Sequence, residues 1–254
     1  MSLASILSAK NSQNRIEGIP SAKPAVRVAR SRAEREGAFK ILYRAYLQAD
    51  LAEPNSHGMR VTPYHLLPTT SVFISEHESQ IVATVTLCQD GCMGLPIESL
   101  YPEKIAELRA SGAKLAEVCC LADRRRDAER GLDAMISLTK LVFHLAQKQD
   151  VDYLLCVAHP RHGRFYKRAT GMVAFDEIRA CPYVKNRPAE PLLLDLKQLA
   201  AHPPRLYGKY FEKDYTDEAL KQKPMTLDEV FHFSQFLDDD TQLGLILEKN
   251  LLIA

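Results

Sequence analysis

One carboxylate stands out as a chemical group. In "LAEVCCLAD" (115–123) every position is apolar or weakly polar except Glu117 and the terminal Asp. A carboxylate placed in such a run is costly to bury unpaired. Burial also raises its pKa, which suits a general base. The competing expectation is a structural ion pair with one of the chain's many arginines. Two cysteines follow at once, Cys119 and Cys120. On a regular strand they point to opposite faces. Either could act as a nucleophile, but no base partner is visible beside them.

Two basic clusters accompany this strand. "DRRRDAERG" (123–131) carries Arg124, Arg125, Arg126, Arg130 and Gly131 ahead of a helix, and a helix N-terminus is a ready anion site. The stretch "LLCVAHPRHGRFYKRATGMVAF" (154–175) runs from an apolar strand into His159, Arg161, His162, Arg164, Lys167 and Arg168, with Phe165 and Tyr166 between them. His159 and Pro160 are expected to make a turn and the cations to face an anionic partner while the two aromatics point inward. A nucleic-acid surface would need a wider basic and aromatic display.

The elements that position these groups follow from pattern. "AVRVAR" (25–30) alternates as a strand, and Ser31 with Glu34 predicts a capping box opening a helix over 32–47. Residues 53–70 are rich in turn formers and form a long loop, a length that is often functional. "SVFIS" (71–75) and "IVATVTLC" (81–88) predict a hairpin. One or two short helices fall within 97–112. Strand 114–122, helix 132–147 and strand 152–158 make a parallel crossover. A short helix follows, ended by Gly171, then "MVAFDEIRA" (172–180) and "EPLLLDL" (190–196) as strands. The fold class is α/β: a mixed, largely antiparallel sheet with a central parallel pair and helices on both faces. Residues 1–24 read as a flexible tail, 25–196 as the main domain and 197–254 as a helical C-terminal extension.

Composition limits the function. The chain has 254 residues, 46% hydrophobic and 26% charged, with net charge +1. That is an ordinary globular balance, and it points to neither nucleic acid nor membrane insertion. No apolar run approaches the roughly 18 residues of a spanning helix, and "MSLASILSAK" is a poor signal peptide. The six cysteines sit mostly in apolar runs and lack metal-ligand spacing. A reducing, cytoplasmic location without metal is expected.

Four pieces together resemble a known family: "PYHLLPTT" (63–70), "GLPIESLYP" (94–102), "LAEVCCLAD" (115–123) and "HPRHGRFYKRATGM" (159–172). Their order and spacing are similar to the GCN5-related N-acyltransferase fold. The closer likeness is to long-chain N-acyl amino acid synthases, relatives of the acyl-homoserine lactone synthases. The resemblance covers roughly 25–196. It implies transfer of a long acyl chain from an acyl-carrier-protein thioester to the amine of an amino acid, with no permanently bound cofactor. It also implies that the parallel strands splay to admit the acyl-phosphopantetheine arm.

The resemblance assigns roles as well. Glu117 stands where the lactone synthases have the Glu of an E-x-S-R pattern, here Glu117-Val118-Cys119-Cys120, so Cys120 replaces the Arg. Tyr166 is the expected acid for the departing thiolate. A free Tyr titrates near ~10 and a thiol near ~8.5, so that transfer is uphill by about 2 kcal/mol unless the site lowers the Tyr pKa. Backbone N–H groups over Cys119–Leu121 are expected to hold the oxyanion. Coenzyme-A-using relatives carry a Gly-rich loop after the first parallel strand, of which only Arg130-Gly131 is kept. Arg124, Arg125 and Arg126, with His159, Arg161 and Arg164, suit a single phosphodiester on an acidic carrier. Tyr43, Tyr64 and His65 are expected to shape the acceptor pocket. The competing functions are coenzyme-A-dependent acetylation of a small amine or protein, and a non-catalytic module that binds a lipid or carrier protein.

Overall fold

The computed structural model describes residues 25–124, 128–199, 208, 215–237 and 246–248, and leaves aside the side chains of 128–133. The expected tail, Arg125 and Arg126 lie outside these residues, as do the side-chain positions of Arg130 and Gly131.

Eight strands form one sheet: β1 (Ala25–Val28), β2 (Thr70–His77), β3 (Gln80–Gln89), β4 (Leu115–Asp123), β5 (Tyr153–Ala158), β6 (Val173–Ala174), β7 (Arg179–Cys181) and β8 (Arg187–Asp195). Their order is β1-β2-β3-β4-β5-β8-β6, with β7 also paired to β8. Only β4 and β5 are parallel. The other pairings are antiparallel. The β2–β3 hairpin turns on Glu78 and Ser79, both at positive φ, as a two-residue turn matched to strand twist requires.

Helix α1 (Arg32–Gln48) begins with the expected capping box: the Glu34 N–H donates to Ser31 Oγ, and Glu34 Oε2 accepts from the Ser31 N–H. Helix α2 (Pro102–Ala110) follows a 3₁₀ turn at Pro96–Ser99. Helix α3 (Ala128–Lys148) connects β4 to β5, and α4 (Pro160–Thr170) leaves β5. Gly171 ends α4 at φ +80°, a left-handed cap that suits glycine. The predicted strand 172–180 is instead two short strands, β6 and β7. Asp176 Oδ1 accepts from the Glu177 N–H at 2.7 Å, and this local turn breaks the run.

The two faces of the sheet carry separate cores. Under α3 lie Val28, Phe73, Val85, Leu87, Ala116, Leu154 and Cys156. On the α1 face lie Val72 and Ile74 with Phe39 and Leu66. A further cluster there gathers Cys88, Leu95, Ile97, Tyr101 and Leu155.

The described C-terminal residues run along the β1 edge and join both cores. Helix α5 (Asp217–Leu220) buries Leu220 in the α3 core. Helix α6 (Leu227–Ser234) buries Val230 and Phe233 in the α1 core. Covering an edge strand removes a template for unwanted pairing. The join is fixed by a buried ion pair, Arg35 Nη1 to Glu229 Oε1 at 2.8 Å. Among the described residues no helix is long and apolar enough to cross a membrane.

Candidate active site

The parallel pair parts. β4 and β5 are in register at Leu115↔Tyr153, Ala116↔Leu154 and Glu117↔Leu155, and there the pairing stops. β4 continues along β3 to Asp123, and β5 continues along β8 to Ala158. Each strand therefore keeps one neighbour and presents an unpaired edge to the other. Exposure follows the geometry: residues 115–117 are buried, and 118–121 are partly open. This is the splay that the sequence resemblance implied.

Glu117 stands at the vertex. It is 3% exposed, and its Oε2 accepts the Ile97 N–H at 2.7 Å. Burial pushes its carboxyl up to about 8, against the lowering effect of that hydrogen bond. The nearby Cys120 and Glu98 charges add to the rise. Among the described residues it makes no ion pair. A carboxylate with a pKa near neutrality is a competent general base.

Directly after the vertex, β4 bulges. Thr84 faces Ala122 while Thr86 faces Cys119, so one residue of β3 spans two of β4. Cys120 takes φ +55°, rare for a side chain with a Cβ. The expectation that Cys119 and Cys120 point to opposite faces is corrected here. The bulge breaks the alternation, and both thiols lie on the α1 face: Cys120 packs with Ile41 and Leu42, and Cys119 with Cys88. Val118 and Leu121 instead pack toward α3. Cys119 Sγ also lies 3.8 Å from Cys88 Sγ.

His65 supplies what sequence could not show, a partner for these thiols. It is buried against Phe39, ring centroids 4.7 Å apart. Its Nδ1 accepts the Thr62 N–H at 2.9 Å, which leaves the proton on Nε2 in the neutral ring. Nε2 lies 3.2 Å from Thr86 Oγ1 and also reaches Cys120. The Cys120 thiol is pulled well below the ordinary thiol range, by the Cys119 hydrogen bond first and then by His65 and the Arg60 charge. Cys119 is pushed up correspondingly. His65 is thus a donor that favours a thiolate, not a base aimed at a thiol.

The residues expected to shape an acceptor pocket lie on the same face. Tyr64 is half-buried, and burial and the Glu117 charge together raise its phenol. Tyr43 is less free than expected: its hydroxyl accepts the Asn55 N–H at 3.0 Å and donates to the Asn55 carbonyl. It nevertheless lines a cavity of about 330 Å³ between the 51–60 loop and residues 182–185. Arg60 lines the same cavity, with its guanidinium 4.9 Å above the Tyr46 ring. Neither Arg60 nor Tyr46 was singled out from sequence. The one available signal was a lone cation inside the otherwise uncharged run 54–75.

The remaining expected residues are spread more widely. Tyr166 and Phe165 do point inward, against the α3 core, so Tyr166 and Glu117 belong to opposite faces of the sheet. Arg124 sits just past β4, and its guanidinium donates to Gln80 Oε1 at 2.9 Å. His159 caps α4, its Nδ1 accepting the Arg161 N–H at 3.2 Å. Arg161 and Arg164 are exposed on that helix. Lys167 does not join them: its Nζ is 2.7 Å from the buried Glu190. A Cβ at Gly163 would lie 2.0 Å from Glu190 Oε2, so a side chain there would oblige the Glu190 carboxylate to move.

Comparison with known proteins agrees with this geometry. The family model for "N-acyl amino acid synthase FeeM" matches residues 37–195. Among solved structures, FeeM, an N-acyl amino acid synthase from uncultured soil microbes, is 25% identical with a TM-score of 0.63, over 72% of this chain and 96% of that one. The acyl-homoserine lactone (AHL) synthase LasI is 12% identical with a TM-score of 0.55, over 76% and 98%. BjaI, a coenzyme-A-dependent acyl-homoserine lactone synthase, is 14% identical with a TM-score of 0.51, over 84% and 99%. These last two share the fold. No curated protein sequence matches the chain.

Proposed function

Because the chain belongs to the FeeM family of N-acyl amino acid synthases, it is an acyltransferase, and we propose that it moves a long-chain acyl group from an acyl-carrier protein to the amine of an amino acid. Residues 25–196 form the catalytic unit in this reading, and 197–254 an appended helical element. The observation that carries it is the parting of β4 and β5 at a buried, proton-accepting Glu117.

The steps follow from the groups in place. The acyl-phosphopantetheine arm enters the gap, and its amides meet the unpaired edges of β4 and β5. N–H groups over Cys119–Leu121, freed from a second ladder by the splay and the bulge, receive the thioester oxygen as it gains charge. Glu117 takes a proton from the acceptor ammonium, and the neutral amine attacks the carbonyl carbon. The carbon–sulfur bond then breaks and the pantetheine thiolate takes up a proton, while the nitrogen gives up its second proton as the amide forms; that proton makes good the one the thiolate has taken, and Glu117 returns its own proton to solvent. Tyr166, from the other face, is the donor proposed for the thiolate's proton. Arg124, Arg161 and Arg164, with the basic loop before α3, supply positive charge for the donor's phosphodiester and the acidic carrier surface.

The test supplies purified protein with acyl-carrier protein and coenzyme A thioesters of two to sixteen carbons and a panel of amino acids, with products read by mass spectrometry. N-acyl amino acids formed from long-chain acyl-carrier protein are the expected result. Turnover of acetyl-coenzyme A onto small amines, with the carrier thioesters left intact, would overturn the donor and the chain length proposed.

A further inference from the structure

We propose that Arg60 is the anchor for the α-carboxylate of the acceptor, and so selects free amino acids over other amines. The inference rests on the acyl transfer proposed above and adds the group that recognises its substrate.

Arg60 is a cation without an anion. Its guanidinium lies on the Tyr46 ring, and its Nη2 donates to the Tyr183 carbonyl at 2.9 Å. Its Nε is covered and has no acceptor among the described residues. No carboxylate among those residues pairs with it. The acids nearest the cavity are engaged elsewhere: Asp50 with Lys185 and Arg187, and Glu53 with Lys185. Arg35 and Arg109, by contrast, each meet carboxylates. A guanidinium held flat by an aromatic ring and left short of acceptors is prepared for a planar anion, and a carboxylate fits its fork.

Position makes the anion an acceptor's. Arg60 lines the cavity with Tyr43, Leu51, Pro54, Pro182 and Tyr183. Arg60 rests on the Tyr46 ring, and Tyr46 packs in one cluster with Cys120 of the β4 bulge. Glu117 stands three residues before Cys120 on the same strand. An α-amino acid carries its ammonium and its carboxylate on one carbon. With the amine directed to Glu117 and the carboxylate to Arg60, the side chain falls toward the cavity. A simple alkylamine leaves Arg60 unmatched, so the site discriminates against it.

The experiment compares L-alanine, L-leucine and L-phenylalanine with their α-carboxamides as acceptors, at fixed donor. It is run in the wild type, Arg60→Lys and Arg60→Gln. The wild type is expected to prefer the free acids by about 10- to 100-fold in kcat/KM, the scale of a charged hydrogen-bonded pair. Arg60→Gln should collapse that ratio toward one, chiefly through KM of the free acid, with a much smaller loss of kcat/KM for the carboxamides. Arg60→Lys should fall between. A ratio unchanged in Arg60→Gln, or an equal loss on both acceptor classes, overturns the anchor alone. Acylation of neither class by the wild type overturns the reading of the reaction and this proposal with it.

Discussion

Glu117 and Leu155 form the last rung that joins β4 to β5. The one buried carboxylate of β4 thus sits where the sheet stops being continuous. Its surroundings are dry enough to hold a proton near neutral pH, yet the strand opens at the next residue. That combination is what the proposed general base requires: proton affinity near neutrality beside an opening in the sheet.

Replacing Glu117 with Gln should lower kcat by at least about 100-fold, the scale of general-base catalysis. In the wild type the base must be ionised, so activity should be lost as pH falls through about 8. Pre-steady-state binding of a non-hydrolysable donor should be unchanged in the variant. A pH–rate profile retaining its acidic limb in Glu117→Gln would refute the assignment.

The same carboxyl predicts a stability signature. Its folded pKa, about 8, lies above the ordinary value of 4.5, so between these pH values the native state binds more protons than the unfolded chain. Unfolding free energy should therefore fall as pH rises from about 4.5 to 8 and level off above. The group's contribution is on the order of several kcal/mol. Denaturant titrations of wild type and Glu117→Gln across this range should differ in slope there and run parallel above pH 8.

Cys120 should react with iodoacetamide faster than Cys92 at pH 6.5, although Cys92 is exposed and Cys120 only partly so. The Cys120 thiol is shifted toward the thiolate form relative to an ordinary thiol. Peptide mapping of a brief alkylation should find Cys120 labelled first, and a saturating acyl thioester should protect it. Preferential labelling of Cys92 would show that Cys120 is not a thiolate.

Glu229→Ala leaves Arg35 buried and uncompensated, and should cost about 3–5 kcal/mol in chemical denaturation. The double replacement of Arg35 and Glu229 by Met should recover most of that loss. Because α6 touches Phe39 through Phe233 at 5.1 Å, and Phe39 in turn contacts His65, the single variant should also raise KM for the acceptor. An unchanged denaturation midpoint would mean the extension does not stabilise the domain.

Much of this was legible because it is local. The Ser31–Glu34 box, the Gly171 cap and the isolation of Glu117 depend on residues a few positions apart. The order and spacing of the conserved-looking pieces carried the fold. Non-local features were not legible. The turn of Cys120 onto the α1 face comes from the register of β3 against β4, which no alternation within β4 encodes. Arg60 reads as an ordinary loop cation until Tyr46 and Tyr183 are seen to hold it. The break between β6 and β7 is set by a single Asp side chain, inside a run whose apolar pattern favours a strand.

The parted edges of β4 and β5 have a thermodynamic consequence. The two halves of the sheet pair directly over three rungs, so beyond Glu117 they are joined through the shared α3 core and not by a backbone ladder. A donor whose own amides bridge the edges would act as a missing strand. Folding and substrate capture then share one set of hydrogen bonds, and the melting temperature becomes a gauge of donor occupancy.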